Sequence, residues 1–147
     1  MDSLITIAVL VGCAAVVEDL SRARISNWIS GGAVVGGLCC HGARNGWTGI
    51  FTALLGAAAG FGIFFLLYLA GGMGGGDVKL MAGFGSLLGP GLVCGAAFLA
   101  AILGAIIASA VWVLGTLFPG LTRSPAKSIP YAPAIALGAL LVLFSKT

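Results

Sequence analysis

Long apolar runs without charge fill almost the whole chain, and this limits what it can fold into. Six stretches stand out: about Ser3 to Val17, Trp28 to Cys40, Gly49 to Ala70, Val78 to Leu88, Leu92 to Phe118 and Ile129 to Phe144. Runs of this kind read as membrane-spanning helices. Composition agrees: 60% of the 147 residues are hydrophobic and 7% charged, with a mean hydropathy of +1.17, too apolar for a water-soluble domain of this size. The expected fold is all-α, a polytopic membrane helix bundle forming one unit over residues 1–147, with about six transmembrane helices.

Lengths and charges refine the expectation. Only the third and fifth stretches comfortably exceed the ~20 residues a span needs. The fourth and fifth as one helix would reach roughly 60 Å, about twice the hydrocarbon thickness, so Gly89-Pro90-Gly91 reads as a break. The second is short enough to be re-entrant. With six spans, the connections at 18–27, 71–77 and 119–128 share one side, which carries Arg22, Arg24, Lys79, Arg123 and Lys127, five of the seven basic residues. Arg44 and Lys146 fall on the other side. The positive-inside rule makes the first side cytoplasmic and puts the N- and C-termini outside the cytoplasm. The same parity brings Asp19 and Asp77 to one side, and they would be separated if the second stretch did not cross. The first twenty residues lack the basic start of a signal peptide and carry Asp2 instead, so they are read as the first span.

Several function classes are excluded by what is present. The net charge is +3 and the basic residues form no run, which argues against a nucleic-acid partner. Cys13, Cys39, Cys40 and Cys94 lie inside apolar stretches without a C-x-x-C pair, and His41 is the single histidine, so neither a metal nor another cofactor is expected. The cysteines read as small packing residues. His41, Trp47, Trp28 and Trp112 read as interface residues.

The acids are Asp2, Glu18, Asp19 and Asp77. Asp77 follows "GGMGGG", where five glycines in six residues argue for a loop. Locally it fits an N-cap of the fourth helix. Asp19 ends the first helix, where the helix dipole disfavours an anion, and a salt bridge to Arg22 or Arg24 would offset that. Acids at membrane depth are costly and are functional candidates by default. Two carboxylates held close share one proton, so one activates water while the other protonates a carbonyl, which is peptide hydrolysis without a metal or a serine or cysteine nucleophile. Lys79, two residues on, either lowers the Asp77 pKa or snorkels to the interface. Glu18, Arg22 and Arg24 suit a charged substrate or anionic lipid headgroups. Pro130 and Pro133 either leave free carbonyls that shape a groove or mark a helix start.

Gly74-Gly75-Gly76-Asp77 resembles the G-x-G-D motif of intramembrane aspartyl proteases. "EDLSRARISNW" is similar to the D-x-x-x-x-x-I-P-N segment of type IV prepilin peptidases, with Asp19, Ile25 and Asn27 aligned and Ser26 where the family has proline. Ile129 to Leu140 resembles the closing helix of the short Tad/Flp-type members. The resemblance implies a catalytic pair, Asp19 and Asp77. It also implies a prepilin or pseudopilin substrate cut on the cytoplasmic side of a bacterial inner membrane, with lipid as the surroundings. The cysteine-bearing N-methyltransferase domain of longer members has no counterpart here, so peptidase activity without methylation is expected. Gly74, Gly76, Lys79, Asn27, Pro130 and Pro133 are candidates for substrate binding or loop shaping. On this reading the glycines free Asp77 from a rigid helix. The competing reading is a small ion- or proton-coupled transporter or channel subunit, with glycine-broken helices and ion-binding acids. Oligomeric state is not read from the sequence.

Overall fold

The computed structural model describes residues 2–22, 24–117 and 131–145. Among these residues five helical elements follow in order: α1 (Asp2–Arg22), α2 (Asn27–Leu69), α3 (Gly75–Leu88), α4 (Pro90–Leu117) and α5 (Ala132–Phe144). Among the described residues there is no strand. α1, α2 and α4 are long and apolar enough to cross a membrane. Arg123, Lys127 and Pro130 lie outside the described residues.

The second and third apolar stretches, expected as separate helices, are the two arms of α2, two helices joined across a kink within Asn27–Leu69. Straight, α2 would measure about 65 Å, far beyond a bilayer's ~30 Å core. It is not straight. Gly46 sits at φ 57°, ψ −135°, which breaks the helical path in a region that glycine alone enters without strain. Contacts show that the chain doubles back there. Before the break, Ser30 and Ala33 meet Gly83, Gly37 meets Ser86, and His41 reaches the Leu87 carbonyl, so this arm runs parallel to α3. After it, Gly56 lies on Gly85 and Gly89, and Gly60 on Met81, so the second arm runs antiparallel to α3. Around the turn, Gly42 faces Ile50 and Gly49 faces the His41 carbonyl.

α3 is the hub that both arms of α2 enclose. Ten of its fourteen residues are buried, including Leu80, Met81, Phe84 and Leu87. A helix covered on every side has no polar face to offer, which explains its apolar sequence below Lys79. Helices in lipid gain little from a hydrophobic effect between them and associate through close van der Waals packing. That is the use of the small residues: the Gly56 and Gly85 backbones approach so closely that a Cβ on either would collide with the other. The expected α3–α4 break occurs at Gly89, φ 75°, followed by Pro90. α5 packs antiparallel to α4, with Gly138 on Ala96 and Ala100 and Gly104 on the Tyr131 ring, and it also meets α1 through Ala136 and Gly12. The end of α1, both ends of α2, and the starts of α3 and α5 thereby gather at one end of the bundle.

The outward surface is apolar. Trp28, Trp47 and Trp112 are exposed, as are Phe51, Phe65 and Phe98. His41 is half-buried, and its Nε2 lies 3.1 Å from the Leu87 carbonyl, near the C-terminal end of α3. The break at Gly89 leaves the last carbonyls of α3 without intrahelical partners, so a side-chain donor fits there.

Candidate active site

The gathered end holds a cavity of about 470 Å³. Asp19 and Asp77 both line it, with Arg24, Ile25, Asn27, Lys79, Tyr131 and the glycine-rich turn from Gly71 to Gly76.

Asp77 occupies the third position of α3, not its N-cap. The N-cap is Gly74, so Gly75 and Gly76, expected in a loop, form the first helical turn. From there the Asp77 carboxylate folds back and accepts the Gly74 N–H at 3.1 Å, satisfying a donor that the helix start leaves free. An acid also suits the positive end of the helix dipole. The residue is only 8% exposed. Burial pushes its pKa up from 3.8 to about 6; the Gly74 hydrogen bond offsets part of this, and repulsion from Asp19 adds to it. The two carboxylates face the same cavity. Lys79, for which pKa lowering and snorkelling were both open, donates from Nζ to the Asn27 Oδ1 at 2.9 Å.

Asp19 lies in the last turn of α1 and is half-buried. Its Oδ2 accepts the Ala132 N–H at 3.1 Å, a contact between residues 113 apart in sequence. That N–H belongs to the first residue of α5, another helix-start donor without an intrahelical partner. Both aspartates thus accept an N–H at a helix N-terminus, Asp77 from that of its own helix and Asp19 from that of α5. Neither arginine supplies the salt bridge considered for Asp19; Arg22 and Arg24 are exposed.

Of the candidates for substrate binding or loop shaping, Gly74, Gly76, Asn27 and Lys79 line the cavity, whereas Pro133 does not and is the second residue of α5. The role expected of the glycines needs correcting. Asp77 is inside a helix, so they do not release it from one. Gly76 instead admits a neighbour: a Cβ there would sit 3.3 Å from the Ile25 Cβ. Tyr131, Met73 and the Ala132 N–H were not singled out in the sequence. The only hint was their place in or beside segments already matched to a motif. Among the described residues no group of His, Cys, Asp or Glu converges in a way that would hold a metal ion.

An apolar helical bundle with two carboxylates facing one end cavity defines a class: a membrane-embedded, two-aspartate protein. The chain belongs to the type IV leader peptidase family, whose model matches residues 5–109, a segment containing both aspartates. It is also similar to a prepilin leader peptidase/N-methyltransferase of Bacillus subtilis (strain 168), 42% identical over 95 residues. That alignment covers 62% of this chain and 35% of the relative, so the chain spans about a third of the length of the curated relative it matches. No solved structure matches it.

Proposed function

We propose that this protein is an aspartyl endopeptidase that removes the N-terminal leader of type IV prepilins or pseudopilins, of the Flp type, on the cytoplasmic side of a bacterial inner membrane. The observation that carries the reading is that Asp19 and Asp77 both line one cavity beside a glycine-rich turn, where burial pushes the Asp77 pKa up. Family membership supports the substrate class.

In the proposed mechanism the pair carries one proton. Asp77, the acid whose raised pKa keeps it neutral longer, donates to the scissile carbonyl oxygen. Asp19, ionised and oriented through Ala132, takes a proton from water, and the water oxygen attacks the carbonyl carbon. The tetrahedral intermediate collapses as Asp19 passes its proton to the leaving amine and Asp77 recovers its own. The Gly71–Gly76 backbone offers an extended chain a surface free of side chains apart from Met73, suited to main-chain hydrogen bonds. The proposal covers leader removal only; the methyltransferase activity in the relative's name stays with that protein. Six crossings, with α2 contributing one per arm and both termini outside, complete the picture.

Co-expression with a tagged Flp-type prepilin tests the reading. Leader loss, with the new N-terminus read by sequencing, is expected. An intact prepilin across a panel of such substrates overturns the reading and returns the transporter alternative to the front.

A further inference from the structure

Glu18 neighbours Asp19 but does not line the cavity. Its Oε2 accepts the Ser26 N–H at 2.7 Å, a short, charge-assisted bond that closes the turn between α1 and α2. Ser26 is the N-cap of α2, yet its hydroxyl makes no capping bond. Its backbone, φ −66° and ψ 138°, has the angles of a proline. A proline there would hold the turn through its ring and carry no N–H. Serine has the N–H, half-buried, and without Glu18 it would lack that partner.

This turn positions the site. Arg24, Ile25 and Asn27 line the cavity, and Ile25 rests against Gly76, the residue before Asp77. A turn that loosens lets Ile25 drift, and with it the register between the start of α3 and the end of α1.

We propose that Glu18 is a positioning residue, acting as the hydrogen-bond acceptor that fixes the Arg24–Ser26 turn and so the approach of Asp77 to Asp19. It is not a third acid in the chemistry. The inference rests on the peptidase reading above.

Steady-state cleavage by wild type, Glu18→Gln, Glu18→Met, Ser26→Pro and the Glu18→Met/Ser26→Pro double variant tests it. Methionine keeps the length and removes the acceptor, and should lower kcat about tenfold with KM little changed, since small misplacements of reacting groups carry costs of this order. Glutamine keeps an acceptor without the charge and should stay within about threefold of wild type. Proline removes the N–H at an angle that suits it, so Glu18→Met should have no effect in that background. Glutamine as damaging as methionine, an unaltered Glu18→Met, or an equal methionine defect with and without Ser26→Pro would each overturn the inference. If Ser26→Pro does not accumulate, the glutamine–methionine contrast decides. A wild type that cuts nothing counts against the peptidase reading instead. Hydrogen–deuterium exchange over residues 24–30 then still judges the clamp: faster exchange in Glu18→Met but not Glu18→Gln supports it, and unchanged exchange overturns it.

Discussion

Asp77 carries a cost that its proposed use explains. Burial holds its carboxyl at a pKa of about 6, against 3.8 unfolded. Below 3.8 the acid is neutral in both states. As pH rises towards 6 only the unfolded state gives up its proton, so stability falls, by about 3 kcal/mol in all for a shift of this size. Asp77→Asn should therefore unfold later than wild type in detergent at pH 8, with the gap closing by pH 4; a gap independent of pH contradicts this. Activity depends on that proton in the same direction. The singly protonated pair is lost above about pH 6, so kcat/KM should fall there with a slope of one proton, and kcat should hold to higher pH once substrate excludes water from the pair. A limb rising through pH 6 would mean that Asp77 works only when ionised. Next to it, Gly76→Val should insert and fold but cut poorly, because the side chain displaces Ile25. Wild-type rates for that variant would show that the contact is idle.

Helix boundaries were only partly legible, for a physical reason. Length arithmetic exposed the α3–α4 break, because a continuous helix would outrun the membrane and Gly89-Pro90-Gly91 offered the turn. The same arithmetic marks the reversal in α2, but 25 glycines in the chain hide the one that matters, since Gly46 differs from its neighbours only in its backbone angles. At Gly75 and Gly76 glycine density pointed to a loop. A helix formed regardless, because packing around α3 and the Asp77–Gly74 bond outweigh a propensity deficit of about 1 kcal/mol per glycine. Close packing also gives a prediction for the element. Gly85→Val would press into the Gly56 backbone and part α3 from the second arm of α2, costing about 1–3 kcal/mol, seen as a lower denaturation midpoint. An unchanged midpoint would mean that the crossing relaxes freely.

At the scale of the molecule, alternation of the helical arms brings Asp19 and Asp77 to one end, and the charge pattern pointed to the same pairing. The Asp19–Ala132 bond was not legible, since nothing local connects residues 113 apart. The orientation proposed here is testable with single cysteines in a background lacking the four native ones. A membrane-impermeant thiol reagent added to intact spheroplasts should label Asn45→Cys, near the α2 reversal, and spare Gly72→Cys, at the cavity end; the reverse pattern contradicts the orientation. The central claim is that the two aspartates perform the cleavage together. It is tested most directly by single-turnover cleavage of a prepilin by purified, folded wild type, Asp19→Asn and Asp77→Asn at matched concentration. The account predicts that each variant loses on the order of 10² to 10⁴-fold in rate with substrate still bound. Near wild-type cleavage by either variant would contradict it.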